Sequence, residues 1–195
     1  MKKLFVGIII SLFLIIYSLS GFVNGQNPDN KECITVYNQC LELIKDNKTQ
    51  KISYYKNCGT NNFGKIKMFD TSKSGDWICE IDLFVNNGKL RVISYVDSDP
   101  GGDTALYLNY YFRLDGSTAY IEKDDRILSG YDQKTFSKVY LNSNGKVIDF
   151  EVKVYDLNTK QEKKDMNNTK GEIPKEVYKN VNEIITKNNI PFKEQ

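Results

Sequence analysis

Histidine is absent from all 195 residues. That absence excludes Ser-His-Asp and Cys-His hydrolases of the usual kind, zinc sites that use imidazole, and histidine-based pH switches. An excess of one charge is also missing. The chain has 27 Lys+Arg against 25 Asp+Glu, and two of the bases, Lys2 and Lys3, stand in the N-terminal leader, so the rest balances. Interspersed signs at zero net charge argue against a general nucleic-acid binder, whose affinity rests on neutralised phosphates; no nucleic-acid partner is expected. No long apolar run occurs after the N-terminus. The one that exists, Leu4 to Leu19, follows the basic Met1-Lys2-Lys3 and precedes small polar residues, which is the layout of a secretory signal peptide. Val23-Asn24-Gly25 places cleavage before Gln26. The run is shorter than the about 20 residues of a membrane span. Leu19-Ser20-Gly21 begins like a bacterial lipobox, but Phe22 stands where that motif needs cysteine. The expected organisation is therefore a signal peptide over 1–25 and a single α+β domain over 26–195. The expected location is secreted or periplasmic, with membrane contact only through the signal segment if it stays uncleaved.

What the chain does carry is one turn written three times. Leu83-Phe84-Val85-Asn86-Asn87-Gly88-Lys89-Leu90, Tyr111-Phe112-Arg113-Leu114-Asp115-Gly116-Ser117-Thr118 and Tyr140-Leu141-Asn142-Ser143-Asn144-Gly145-Lys146-Val147 each bring two large apolar residues into Asn-Gly or Asp-Gly and then a second β-prone run. Those dipeptides accept the positive φ of tight turns, so each copy predicts a β-hairpin. Trp77 to Val85 alternates, with Trp77, Cys79, Ile81, Leu83 and Val85 on one face, as in a strand buried on one side. In the last strand Ile148, Phe150, Val152 and Val154 are expected inward, and Asp149, Glu151 and Lys153 outward. The near-even spacing of Gly88, Gly116 and Gly145 reads as a meander of similar hairpins rather than a repeat array. Between Glu32 and Asp46 the apolar residues Cys33, Val36, Tyr37, Cys40 and Ile44 fall at helical offsets. Val177, Val181, Ile184 and Ile185, between Pro174 and Pro191, mark a second helix. The predicted architecture is α+β: an antiparallel β-meander sheet of about six to eight strands packed by an N-terminal and a C-terminal helix.

Four cysteines, Cys33, Cys40, Cys58 and Cys79, lie after the leader, and an even count in an exported chain favours disulfides. On a helix, Cys33 and Cys40 stand about 10.5 Å apart at 1.5 Å per residue, whereas bridged cysteines need Cα atoms within about 7 Å. Each is therefore expected to bond Cys58 or Cys79, in either order. Cys79 lies on the apolar strand face, so the first helix is expected to cover that face. The spacings do not match the Cys-x2-Cys pairs of a thiolate metal site.

Candidate chemistry is sparse. Asp97, Asp99 and Asp103 follow calcium-like spacing with Gly102 in place, but Leu108 stands where the terminal glutamate belongs; no metal or cofactor is expected. Glu80 and Asp82 share a strand face at a separation suited to paired-carboxylate glycoside hydrolysis, and Asp124-Asp125-Arg126 is a second carboxylate group. Tyr107 and Tyr111 share a face, and with Tyr95 they form a candidate binding face, because aromatic surfaces with polar tips suit carbohydrate or protein contacts. Asn47-Lys48-Thr49 and Asn167-Asn168-Thr169 match the glycosylation pattern.

The elements Asn87-Gly88-Lys89-Leu90, Tyr110-Tyr111-Phe112-Arg113-Leu114-Asp115-Gly116 and Asn144-Gly145-Lys146-Val147-Ile148 resemble those of small exported bacterial proteins of Bacteroidetes type. That resemblance implies an exported antiparallel-sheet domain and implies no activity. The expected function is a non-catalytic binding or interaction domain with a protein or carbohydrate partner. One alternative is a carboxylate-based hydrolase acting on glycans or cell wall. Another is a hydrophobic-ligand carrier with a cavity lined by Leu106, Leu108, Tyr110 and Phe112.

Overall fold

A computed structural model describes residues 30–57, 64–65, 78–98, 103–127, 132–163 and 175–193. Helix α1 (Asn30–Lys45) is followed by β1 (Gln50–Asn57), β2 (Gly64–Lys65), β3 (Ile78–Asn86), β4 (Lys89–Ser98), β5 (Thr104–Phe112), β6 (Thr118–Ile127), β7 (Gln133–Leu141), β8 (Val147–Asp156) and helix α2 (Val181–Lys187). The strands form one antiparallel sheet in the order β2-β1-β3-β4-β5-β6-β7-β8. Seven of them are full strands, and β2 is a two-residue edge piece paired to Tyr54 and Tyr55. From β3 onward the order is a meander, as the three turn sequences predict.

The three hairpins share more than their turns. Gly88, Gly116 and Gly145 all have φ between 74° and 81°, the left-handed region that glycine enters without steric cost. Immediately past each turn the register slips by one residue. Phe84 faces Val92 while Val85 faces Leu90. Tyr111 faces Tyr120 while Phe112 faces Thr118. Tyr140 faces Asp149 while Leu141 faces Val147. The extra residues, Arg91, Ala119 and Ile148, are β-bulges three positions after their glycines. The first turn uses Asn87-Gly88, whereas in the other two Arg113 N–H bonds Ser117 O and Asn142 N–H bonds Lys146 O around a three-residue loop. That one-residue difference makes the alternation before the glycines look out of phase in the sequence.

At this turn end the sheet is covered on both faces. The cluster beneath α1 holds Cys33, Val36 and Cys40 against Val92, Tyr111, Ala119, Tyr120 and Tyr140. The opposite cluster holds Ile81, Leu83, Val85, Leu90, Ile93, Tyr110, Phe112, Ile121, Val139 and Leu141 with Val181, Ile184 and Ile190 from the α2 region. α2 is short. Asn180 caps it by accepting the Glu183 N–H, and its approach is pinned where Val181 N–H donates to Gly116 O and Thr118 N–H donates to Lys179 O. It closes the turn end and does not flank the sheet along its length.

Two expectations are corrected here. Cys79, Ile81, Leu83 and Val85 are buried on one face as predicted, but that face belongs to the α2 side, because α1 packs on Phe84 and Val92, one residue out of phase with Cys79. A one-residue change of parity puts a strand side chain on the other face. In β8 only Val154 is buried and Phe150 is 36% exposed, because β8 is the last strand and has a neighbour on one side only.

The Gly145 turn packs tightly on the α2 approach: a Cβ placed there would lie 2.5 Å from Lys179 Cβ, whereas one at Gly116 would have 3.9 Å to its nearest neighbour, Val181 Cγ2. Alanine in a left-handed conformation costs of order 1–3 kcal/mol. Gly116→Ala should lower the urea midpoint by that conformational cost alone. Gly145→Ala should lower it further, since Lys179 must also move.

Candidate functional site

α1 crosses the strands almost at the turns, from Asn30 beside Asp149 of β8 to Leu41 and Ile44 near Phe84 of β3. What holds it there is a pair of matching stations. At the first, Cys33 Sγ donates to Leu141 O at 3.2 Å, and Arg113 Nη2 donates to the same carbonyl at 2.6 Å and to Cys33 Sγ at 3.7 Å. At the second, Cys40 Sγ donates to Arg91 O at 3.5 Å and to Phe112 O at 3.8 Å; Arg91 Nε donates to Phe112 O at 3.1 Å and Nη2 to Cys40 Sγ at 3.8 Å. Phe112 and Leu141 are equivalent positions at the bulges of the second and third hairpins, where the ladder is interrupted. Seven helical residues rise about 10.5 Å, and two strand spacings are about 9.6 Å. The helix pitch therefore brings two cysteines, seven residues apart, onto two carbonyls, two strands apart.

Cys33 and Cys40 are free and buried. The cross-links expected from α1 to the strands are not formed, since α1 lies on the face opposite Cys79. Cys58 lies outside the described residues. Burial pushes the Cys33 and Cys40 thiols upward, against the pull of Arg113 and Arg91, so both stay protonated at neutral pH and act as donors. Glu32 completes the first station. It takes two bonds from Arg113, at 2.8 and 2.6 Å, and these hold its carboxyl below the usual range.

Next to the thiols is a tyrosine cluster. Tyr37 of α1 meets Tyr111 and Tyr120 edge-on, with centroids 4.9 and 4.8 Å apart, and Tyr120 meets Tyr140 at 5.1 Å. Such pairs contribute about 0.5–1.5 kcal/mol each beyond burial. Below them lies Glu122, a half-buried carboxylate. Tyr111 donates to its Oε2 at 3.0 Å and Tyr120 to its Oε1 at 3.4 Å; Tyr37 bonds it as well. Desolvation raises the Glu122 carboxyl despite these bonds and the charge of Lys138.

Past Glu122, α1 no longer covers the sheet. Register places Ser94, Asn109 and Lys138 in the Glu122 row, and Glu80, Val96, Tyr107, Asp124, Phe136 and Lys153 in the next. Most of these side chains are half-buried. Arg126 stacks 4.7 Å over the Tyr107 ring, and Lys134 and Lys138 lie 5.5 and 5.6 Å from the centroid of Phe136. Buried Asp124 ties this network together by accepting from Arg126 at 2.9 Å and from Lys134 at 2.8 Å.

The sequence-derived candidates disperse over these surfaces. Tyr111 is buried under α1, Tyr107 stands on the open half of that face, and Tyr95 is on the other face, where it packs on the α2-side core and donates to Asp97. The three therefore form no common binding face; Tyr95 pairs with Leu108, out of phase with Tyr107. Glu80 and Asp82 do share a face. Asp82 is held by Lys51 at 2.7 Å and by Ser53, while burial and then the Asp82 charge raise Glu80. Asp124 and Asp125 point to opposite faces. Of the calcium-like loop, Asp99 to Gly102 lie outside the described residues, and among the described residues no group of three or more acidic or thiol side chains could hold a metal ion. Leu108, Tyr110 and Phe112 belong to the packed α2-side core.

The C-terminal part of the β8 edge is occupied. Asp149 accepts the Phe150 N–H. Farther along, the chain turns back so that Lys163 N–H donates to Val154 O and Asp156 N–H to Gln161 O.

No protein-family model, curated protein or solved structure matches the chain.

Arg91, Arg113 and Glu122 have no role in the reading of the sequence, and Tyr37 enters it only through the apolar stripe of α1. Arg91 had a legible sign: an arginine between Leu90 and Val92 breaks the apolar run and marks the bulge.

Cys33 and Cys40 should resist a thiol reagent in the native protein and react on unfolding. Cys40→Ala should lower stability by about 1–3 kcal/mol through the lost donor and the small void, with Cys40→Ser nearer the parent. Glu122 carries a pH signature. Its carboxyl is raised in the folded state, so the folded state holds the proton more tightly than the unfolded one. Stability should fall as pH rises from the ordinary glutamate value through the folded one. Glu122→Gln should flatten that part of a stability-against-pH curve; an unchanged slope would place the titration elsewhere.

Proposed function

We propose that this chain is an exported, non-catalytic binding module whose contact surface is the half of the α1 face that α1 leaves uncovered. The observation that carries this reading is the Tyr107, Phe136 and Asp124 network. Two aromatic rings lie against three cations, Arg126, Lys134 and Lys138, and two of those cations are held by one buried carboxylate, Asp124, on the part of the face that α1 leaves uncovered. Ordering side chains before contact reduces the entropy lost on binding. The mix of rings, amide and charge suits a polar partner, a protein or a carbohydrate, approaching the sheet face. Strand addition at β8 has less support, because the C-terminal part of that edge is already paired.

Export is supported by the leader pattern of Met1 to Gly25. In an oxidising compartment Cys58 and Cys79 form the one disulfide in this reading. Lys56 faces Cys79 in the ladder, and Cys58 follows Lys56 by two residues in the sequence. The hydrolase alternative rests on Glu80 beside Asp82, whose environments separate a raised carboxyl from an ion-paired one; no further observation among the described residues supports it. Leu108, Tyr110 and Phe112 pack in the α2-side core, so they give the carrier reading no support.

The test is retention of envelope material from the native host on the chain beginning at Gln26, with identification of what is held. Tyr107→Ala combined with Phe136→Ala should abolish retention of a component that the parent keeps, without lowering the melting temperature by more than a few degrees. Asp125→Asn, on the opposite face, should leave retention intact. Equal retention by the parent and the double variant would reject this surface, and turnover of the retained component that Glu80→Gln stops would support the hydrolase.

A further inference from the structure

Asn47-Lys48-Thr49 is a motif that neither the fold nor the open half of the α1 face uses. Asparagine, any residue but proline, then threonine is the acceptor pattern for N-linked glycans, and in an exported chain it belongs on a surface loop. The transfer acts on the chain before it folds. The folded structure therefore has to leave the asparagine in water, in a segment that can carry a bulky group.

Asn47 meets both conditions. α1 ends at Lys45 and β1 begins at Gln50. Between them Thr49 N–H donates to Asp46 O at 3.0 Å, which closes a β-turn with Asn47 at its second position. Lys48 N–H donates to Asp46 Oδ1 at 3.0 Å, so the aspartate makes the side-chain bond that fixes the turn. Asn47 itself is exposed, and among the described residues no hydrogen bond engages its amide. The amides of Asn86, Asn158 and Asn188, in or beside other turns, donate to Thr49, Asp132 and the Ile184 carbonyl. A sugar on any of those three would crowd a bond of the fold; on Asn47 it meets none. Charge gives such a group a use. Past the leader the chain balances to zero, a condition that promotes association, and a hydrated neutral glycan opposes it.

We propose that Asn47 is an N-glycosylation site. The donor is an oligosaccharide joined through a diphosphate to a membrane lipid. Asn47 Nδ2 attacks the anomeric carbon of the first sugar and forms the N–C bond. The bond from that carbon to the diphosphate oxygen breaks, the lipid diphosphate leaves with the electron pair, and one amide proton passes to a base of the transferase. The glycan then stands beside Asn86 of the first hairpin. That is the opposite end of the strands from Tyr107 and Phe136, so the open half of the α1 face stays clear. Glycosylation here depends on export, which the leader pattern supports, and not on what that face binds. It also requires a host whose export pathway transfers glycans to this triplet, which the bacterial likeness of the hairpin sequences does not imply.

The test is mass spectrometry of the peptide that contains Asn47, from protein purified from its native host. An amidase that removes N-linked glycans, acting in heavy-oxygen water, should convert Asn47 to labelled aspartate. Thr49→Ala expressed in that host should lose the glycan from this peptide, and Thr49→Ser, which keeps the triplet, should retain it. A bare Asn47 in the parent protein, or a glycan that persists at Asn47 in Thr49→Ala, would overturn the proposal. The same digest reports the N-terminus. Gln26 first with a bare Asn47 overturns this site alone, whereas an uncleaved leader with a bare Asn47 counts against export as well.

Discussion

The geometry of this domain depends on one match of lengths: two turns of an α-helix against two spacings of a β-sheet. Because the two distances differ by only about an ångström, Cys33 and Cys40 of α1 meet the Leu141 and Phe112 carbonyls together. Each carbonyl is shared with an arginine, Arg113 or Arg91. A helix laid along the strands could not make both contacts. Cysteine suits this place because a thiol is small, tolerates full burial and donates weakly. A longer side chain would lift α1 off Tyr111 and Tyr120, and an aliphatic one would offer no donor. The cysteines, which in an exported chain suggest covalent staples, here act as packing groups.

The bulges make the match available. A strand pair that lost its bulge would return the residues beyond it to the opposite face, and Phe84, Tyr111 and Tyr140 would no longer sit in one row with their partners Val92, Tyr120 and Asp149. All three hairpins carry the slip at the same distance after the glycine, so the row stays continuous across six strands. α1 then finds a level aromatic floor, and Tyr37 completes it from above. Beneath the tyrosines, Glu122 marks the boundary between two halves of the same face. On one side apolar surface is covered by a helix; on the other, rings and charges are held by Asp124.

Much of the fold is written in the three turn sequences, and so is more than the turns. Each is preceded by two large residues, Phe84-Val85, Tyr111-Phe112 and Tyr140-Leu141. In every case the first goes beneath α1 and the second joins the α2-side core. Consecutive apolar residues at the turn end, giving way to alternation farther along the strands, are the signature of a sheet covered twice at one end and once at the other. The length of β6 was less legible. Lys123-Asp124-Asp125-Arg126 has the composition of a loop, yet it continues the strand, because Asp124 and Arg126 share one face and Lys134 joins them from β7. The face covered by α1 was not legible at all. Cys79 and the α1 cysteines each lie on an apolar stripe, and only the register of β3 against β4 tells that the two stripes belong to opposite sides.

The same asymmetry bears on what the domain can contact. Helices, turns and the two cores gather at one end, so stability is concentrated there. The far half of the α1 face is fixed instead by ion pairs and cation–ring contacts, which are individually weak at exposed sites. Asp124 changes that balance. Its burial removes competing water, so the bonds from Arg126 and Lys134 act in a setting of lower dielectric than a surface pair enjoys. Replacing Asp124 with asparagine would leave two cations beside each other with only a neutral acceptor between them. The rings of Tyr107 and Phe136 would lose the order of the groups that stack on them, while the turn end, bound through thiols and guanidiniums a helix width away, would keep its packing. The chain thus separates a structural end from a presenting surface, and the row of Glu122 is where one passes into the other.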